Sequence, residues 1–134
     1  MIGIDTNVIV RAFRADEPEQ ADAAEECLTR ECSEAVPGFV NLVVLCEFVW
    51  VMTRTYKVSR AEMVETVARM LSTAELAVER PDVAAEALGL FRAGAADFAD
   101  CVIAATNARA GCAYTRSFDK TAAVALPQFR LVGR

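Results

Sequence analysis

The chain has 134 residues, 54% of them hydrophobic and none of them histidine, with a formal net charge of −5. This length suits one domain with a sizeable core, and no apolar run reaches the ~18 to 20 residues that a membrane span needs. Without histidine, serine triads with a histidine base, Cys–His nucleophiles and imidazole metal ligands are excluded. The acidic balance also argues against nucleic-acid binding through a broad cationic surface.

The cysteines and the amino terminus indicate the compartment. The chain has five cysteines without C-x-x-C spacing: Cys27, Cys32, Cys46, Cys101 and Cys112. Without that spacing, a zinc knuckle or a redox pair has no support, and we expect small buried residues in a reducing compartment. Residues 1–10 contain an acid and no basic region, unlike a signal peptide. The prediction is a soluble cytoplasmic protein.

The first half of the chain alternates between strand and helix patterns. In chain order these predict a strand at 1–4, a helix continuing to 13, a helix at 18–31, a short strand at 39–40, and helices at 42–56 and 60–72. Asn41 can cap the third helix, and Ser59 with Glu62 forms a capping box before the fourth.

The second half continues the alternation. The predicted elements are a strand at 74–79, a helix at 81–93, a helix at 96–110 closed by Gly111, a strand at 112–115, a helical turn at 118–125 and a strand at 129–132. Such alternation predicts an α/β protein, a single-domain α/β/α sandwich over residues 1–134 with a short parallel sheet.

The most informative residues are acids beside apolar segments that are expected to lie inside the fold: Asp5, Glu47, Asp97, Asp100 and Asp119. Asp5 and Asp119 follow predicted strands, where parallel sheets place functional crevices. Glu47 lies within a helix so apolar that we expect it to be at least partly buried. Buried like charges are costly unless a cation joins them, and oxygen ligands favour Mg²⁺ or Mn²⁺ over zinc.

Each acid taken alone also has a structural interpretation. Asp5 and Asp97 can be helix caps, and Asp119 can be a turn residue. Glu47 can pair with a buried arginine such as Arg54. Asp100 has fewer such explanations. The five acids together are stronger evidence for a metal site than any one of them alone.

Four stretches together resemble a known family: I-D-T-N-V at Ile4–Val8, the acid Glu47, D-F-A-D-C-V-I-A-A at Asp97–Ala105, and S-F-D-K at Ser117–Lys120. The chain resembles a PIN domain over its whole length, and closely resembles a VapC-type toxin. The resemblance implies four catalytic acids, Asp5, Glu47, Asp100 and Asp119, with Asp97 as an additional metal ligand.

The resemblance also implies supporting residues and partners. Thr6, Asn7 and Ser117 match positions that orient the acids. The implied activity is Mg²⁺- or Mn²⁺-dependent endoribonucleolytic cleavage of structured RNA such as transfer RNA. The implied partners are a small VapB-like antitoxin and a second copy of the chain. Candidate RNA contacts are Arg11, Arg14, Arg116 and Lys120, although each is also readily explained as a surface charge.

Two other functions remain open at this point. A phosphohydrolase with an aspartate nucleophile could use Asp5, but D-x-D-x-T is absent and the acids are too numerous for one aspartyl phosphate. A catalytically silent PIN-like binding module is also possible, although binding alone gives no physical reason to keep mutually repelling acids. The hydrolytic hypothesis predicts 5′-phosphate and 3′-hydroxyl products.

Overall fold

The computed structural model of the protein describes residues 1–133, so the last residue of the predicted domain, Arg134, lies outside the described part. The chain divides into two compact units, Met1–Arg80 and Pro81–Arg134. We call them the amino-terminal and the carboxyl-terminal unit.

The amino-terminal unit alternates strands and helices: β1 (Ile2–Gly3), α1 (Thr6–Phe13), α2 (Pro18–Glu26), β2 (Gly38–Val40), α3 (Leu42–Arg54), α4 (Arg60–Leu71) and β3 (Leu76–Val78). A π-helical turn, Cys27–Glu31, extends α2 to the predicted end of that helix. The strands form one parallel sheet in the order β1-β2-β3. β2 is the central strand, and Val40 within it is completely buried.

Two predicted helix caps are present in this unit. The side chain of Asn41 accepts a hydrogen bond from the Val44 backbone N–H at 2.8 Å, and that of Ser59 accepts one from Glu62 at 3.2 Å. Each cap satisfies a backbone donor that the first helical turn leaves free. The starts of α3 and α4 were therefore predicted correctly, whereas α3 ends at Arg54, two residues before the predicted end.

In its described part, residues 81–133, the carboxyl-terminal unit has three helices and two strands: α5 (Pro81–Ala93), α6 (Phe98–Arg109), β4 (Thr115–Ser117), α7 (Lys120–Ala125) and β5 (Phe129–Leu131). The two strands pair in parallel. Arg109 on α6 joins α6 to α5 through Asp82 at 3.1 Å and Glu86 at 3.0 Å. The bounds of α5 are those predicted, because proline opens a helix readily and cannot continue one.

Strand β4 begins three residues later than predicted. Gly111 closes α6 with a φ of 97°, as expected, and the next backbone N–H, of Cys112, donates to the Asn107 carbonyl at 3.0 Å. This is the hydrogen bond of a Schellman cap, so Cys112 completes the helix end instead of starting a strand. The segment 112–114 is exposed, and the strand is the polar Thr115–Ser117.

The cysteines do not all behave as predicted. None of the five forms a disulfide within residues 1–133. Cys32 and Cys101 are buried, and Cys27 and Cys46 are half-buried. Cys112 is exposed, so its predicted burial was wrong. It lies in the turn after α6 and not in a strand.

The fold class is confirmed: the protein is a mixed α/β chain with short parallel sheets. The strands of residues 1–133 belong to two sheets, one in each unit. Among residues 1–133, no helix combines the length and the apolar character that crossing a membrane requires.

Candidate functional site

In the carboxyl-terminal unit, two of the predicted acids cap helices. Asp97 precedes α6 and accepts a hydrogen bond from the Asp100 backbone N–H at 3.0 Å. Asp119 precedes α7 and accepts one from Ala122 at 3.0 Å. The capping interpretation of Asp97 is therefore correct, and Asp119 also caps a helix. Capping uses one oxygen of each carboxylate, so it does not prevent these acids from binding a cation.

Asp100 is the acid whose surroundings are most unfavourable for a negative charge. It lies in the first turn of α6 and is half-buried. The pKa of Asp100 is raised to about 6, and burial is the largest cause. The charge of Asp97, a hydrogen bond with the Asp97 side chain and the charge of Asp119 act in the same direction. Three carboxyl groups thus interact at the start of α6 and α7, and we call them the acidic trio. A cation would relieve their mutual repulsion.

In the amino-terminal unit, the two predicted acids belong to one hydrogen-bonded group. Asp5 caps α1 by accepting a hydrogen bond from the Thr6 backbone N–H at 2.8 Å. The Thr6 hydroxyl donates to Glu47 Oε1 at 3.0 Å. The partner of Glu47 is therefore this threonine and not Arg54. One residue, Thr6, links two acids that are 42 positions apart in sequence, and we call this the Asp5–Glu47 group.

The expected burial of Glu47 was wrong. Helix α3 packs one stripe into the interior, and its members are Val44, Leu45, Phe48, Val49 and Met52. Glu47 is exposed, together with two apolar residues on the same helix, Val43 at 69% and Trp50 at 56%. Because α3 is rich in apolar residues, its exposed face could not be recognised from the sequence. Asp5, Asp97 and Asp119 are exposed as well, so Asp100 alone of the five is partly withdrawn from solvent.

The three predicted supporting residues lie beside predicted acids. Thr6 contacts Glu47 as described. Ser117 Oγ accepts a hydrogen bond from the Asp119 backbone N–H at 2.9 Å, which fixes the turn between β4 and α7. Asn7 and Asp5 line a cleft of about 400 Å³ whose other wall carries Gln20 of α2.

The candidate basic residues differ in how far they are engaged by neighbours. Arg11 lies 3.5 Å from Asp16 and hydrogen bonds with Gln20 at 2.7 Å. The Arg14 guanidinium lies over the Tyr56 ring, 5.4 Å from its centroid. Arg116 donates to the Leu131 carbonyl at 2.7 Å and lies 5.3 Å from the Tyr114 ring centroid. Lys120, the fourth candidate, is exposed at the start of α7.

Sequence reasoning did not single out Tyr114 and Arg130. The Arg130 guanidinium lies 4.3 Å from the centroid of the Tyr114 ring, next to Arg116. Arg116 and Arg130 face each other in the register of β4 and β5. The sequence did not indicate this cluster, because the predicted boundaries of β4 put Tyr114 inside the strand and Arg116 outside it.

Within residues 1–133, no group of three or more metal-ligating side chains is positioned so that it could hold an ion. The fit to a metal therefore rests on donor chemistry and on the acidic trio. All the predicted ligands are carboxylates, the donors that Mg²⁺ and Mn²⁺ accept readily. Burial, followed by the neighbouring carboxyl groups of Asp97 and Asp119, raises the pKa of Asp100, and a cation would favour its ionised form. The donor chemistry of these residues suits a divalent cation, whereas within residues 1–133 no three of them are arranged to hold one.

The chain is an α/β protein with parallel strands and with exposed acids at the starts of several helices. The comparison with protein families narrows this class: residues 2–125 match the PIN domain. The match covers nearly the whole chain and includes both units, so the protein belongs to the PIN-domain family. PIN domains are generally metal-dependent nucleases. The comparison with curated proteins gave no match.

Proposed function

We propose that this protein is a metal-dependent endoribonuclease, specifically a VapC-type toxin that cleaves structured RNA such as transfer RNA. The observation that carries the proposal is the acidic trio, in which Asp100 has a pKa of about 6 beside Asp97 and Asp119. Asp97 and Asp119 contribute to stability as helix caps, but the repulsion between these carboxyl groups and Asp100 is unfavourable. They are well suited to binding a divalent cation.

The metal ligands that we propose are five carboxylates: Asp5, Glu47, Asp97, Asp100 and Asp119. Asp5, Glu47, Asp100 and Asp119 are the proposed catalytic acids, in keeping with the PIN resemblance. Bound Mg²⁺ or Mn²⁺ supplies Lewis acidity, which makes water more acidic and offsets the charge of a phosphodiester. An oxygen donor set favours these ions over zinc.

The protein's own residues position these acids. The Thr6 hydroxyl restricts the Glu47 side chain through its 3.0 Å hydrogen bond. Ser117 restricts the turn that carries Asp119. Asp100 must lose its proton before it can bind a cation, so its carboxyl group makes the site sensitive to pH near 6. Asn7, on the cleft wall beside Asp5, is proposed to orient substrate or acid.

The proposed reaction adds water across the P–O3′ bond of the RNA. The water oxygen bonds to phosphorus, and the 3′ oxygen leaves with the bonding electron pair and gains a proton. The ends are then a 5′-phosphate and a 3′-hydroxyl, and the 2′-hydroxyl is not the nucleophile. Unpaired loops are the proposed targets, because their bases can be splayed out.

The proposed partners are RNA, a VapB-like antitoxin and a second copy of the chain, in the cytoplasm. Of the four basic candidates, we favour Arg116 and Lys120 as RNA contacts. Arg11 is surrounded by Asp16 and Glu17, at 3.5 and 3.7 Å, so its charge is already balanced. Arg14 is engaged with Tyr56.

The test is to incubate purified protein with total RNA, with Mg²⁺, with Mn²⁺ or with a chelator, and to map the new ends. We expect cleavage only with a divalent ion, giving 5′-phosphate and 3′-hydroxyl ends. Ends that carry a 2′,3′-cyclic phosphate would contradict the mechanism. RNA binding without cleavage under every metal condition would favour the catalytically silent module.

A further inference from the structure

We propose that Tyr114, Arg116 and Arg130 form a platform that binds single-stranded RNA next to the acidic trio. This proposal rests on the proposed ribonuclease function and names the surface through which the substrate is held. The three residues lie on or directly before the parallel strand pair β4 and β5 of the carboxyl-terminal unit.

The geometry makes these residues one cluster. Arg116 and Arg130 are directly opposite each other in the strand register. Their guanidinium carbons lie 5.3 and 4.3 Å from the centroid of the Tyr114 ring, within the ~6 Å range of a cation–π contact. Tyr114 directly precedes β4, and both guanidinium groups lie against its ring, so the three side chains are on one face of the strand pair.

The opposite face of β4 is occupied. Thr115 points the other way and accepts a hydrogen bond from Asn107 Nδ2 on α6 at 2.9 Å. The platform side chains therefore extend from the strand face that α6 does not cover. Both arginines are exposed, and Tyr114 has an exposed fraction of 40%. A nucleotide can reach all three.

The charge of the platform is unbalanced. Two like charges directly opposite across paired strands are destabilising. In residues 1–133, neither arginine forms an ion pair with a carboxylate, although the chain carries 19 acids and a net charge of −5. The other contact of Arg116 is with a neutral carbonyl, that of Leu131. Phosphate groups would supply the missing negative charge.

The chemistry of the cluster favours RNA over an acidic protein segment. Bases stack on aromatic rings and on guanidinium planes, and this surface offers both beside charges that phosphates neutralise. Arg116 precedes Asp119 by three residues, so their Cα atoms are at most ~11 Å apart. One short RNA segment can therefore contact the platform and approach the acidic trio.

The test measures binding separately from cleavage. A fluorescein-labelled oligouridine is titrated with protein in a chelator, and anisotropy gives Kd at several salt concentrations. We expect Arg116→Gln/Arg130→Gln to bind at least tenfold more weakly. Loss of two phosphate contacts should also reduce the slope of log K against log salt by about 1.4, since each contact on a single strand contributes ~0.7. Tyr114→Ala should weaken binding by roughly tenfold, and Tyr114→Trp should restore it.

The matched control is Arg54→Gln/Arg92→Gln, which removes the same charge from exposed arginines on α3 and α5. It should leave the salt slope unchanged. The single variant Arg130→Gln, which keeps the Arg116–Leu131 hydrogen bond, guards against a folding defect in the double variant. If the platform variants bind like wild type, or if the control loses as much affinity, the proposal is wrong.

The outcomes separate this inference from the proposed function. Cleavage by wild type together with unaffected binding by the platform variants would leave the ribonuclease proposal standing and reject the platform. RNA binding that depends on the platform, without cleavage under any metal condition, would support the platform and reject the ribonuclease. Binding of an acidic peptide in place of RNA would reject the platform as an RNA site.

Discussion

The two units hold their predicted acids in different ways. In the amino-terminal unit, Glu47 accepts a hydrogen bond from a neutral donor, the hydroxyl of Thr6. In the carboxyl-terminal unit, burial and then the neighbouring carboxyl groups of Asp97 and Asp119 raise the pKa of Asp100 to about 6. Glu47 is thus an oriented acid, held by a hydrogen bond, whereas Asp100 is an opposed acid, whose negative charge is disfavoured by burial and by neighbouring carboxyl groups.

For the proposed cation binding, this difference predicts a separate contribution from each group. The Asp5–Glu47 group offers side chains whose positions are restricted before any ion arrives. In the acidic trio the carboxylates repel one another, and a bound cation would reduce that repulsion. We therefore expect changes in the trio to affect both stability and activity, whereas changes at Thr6 or Glu47, which do not cap a helix, should affect activity alone.

The largest expected effect comes from Asp100→Asn. Removing this charge deletes a proposed ligand and also the repulsion, so RNA cleavage should fall by at least ~100-fold, as is usual when an essential electrostatic group is lost. The melting temperature of the metal-free protein should stay the same or rise. Cleavage assays and thermal melting in a chelator measure the two effects.

A matched control and a metal titration complete this test. Asp22→Asn makes the same change at an exposed acid of α2 and should leave cleavage intact. Mg²⁺ at 100 times its Kd should stabilise wild type by about 2.7 kcal/mol, and the Asp100 variant much less. Unfolding of Asp100→Asn, or equal stabilisation of both proteins by Mg²⁺, would show that Asp100 has a structural role instead.

The pH dependence should be the next largest effect. With a pKa of about 6, Asp100 is ionised in roughly one molecule in eleven at pH 5 and in ten of eleven at pH 7. Cleavage at limiting metal should therefore rise about tenfold between these values. Asp97→Asn should shift the midpoint downward, because it removes a charge that raises the Asp100 pKa.

Stability should change in the opposite direction. The folded pKa of Asp100 is above its unfolded value of 3.8, so the folded state holds this proton more tightly. The resulting stabilisation is present below about pH 4 and is lost as pH rises to 6 and beyond. Metal-free wild type should thus lose more stability than Asp100→Asn between pH 4 and pH 7. Parallel melting curves for the two proteins would contradict this account.

The sequence was a good guide where local chemistry decides the structure. Ser59, Asn41 and Pro81 were placed correctly at helix starts, and Gly111 at a helix end, because caps depend on a few neighbouring residues. The identity of the five acids as the notable residues also came from local pattern and family resemblance.

Burial and pairing could not be predicted in the same way. Glu47 was expected inside because its helix is rich in apolar residues, but Val43 and Trp50 contribute to an exposed face. Strand β4 was misplaced because its partner β5 comes a dozen residues later, and backbone pairing decided where it begins. The hydrogen bond from Thr6 to Glu47 spans 41 positions, a distance over which sequence spacing carries no geometric information.

The smallest expected effect tests the oriented acid. Thr6→Val replaces the hydroxyl with a methyl group of similar size, so Glu47 loses the donor at 3.0 Å while the backbone cap from Asp5 is kept. A typical hydrogen bond contributes about 0.5 to 1.5 kcal/mol, so cleavage should fall by a factor of roughly two to thirteen. The melting temperature should hardly change.

Thr6→Ser keeps the hydroxyl and should recover most of the activity, and Thr106→Val makes the same change on the exposed side of α6 without touching a predicted acid. If Thr6→Val lowered stability and left cleavage untouched, the hydrogen bond would serve the fold, and the contrast between an oriented acid and an opposed acid would fail.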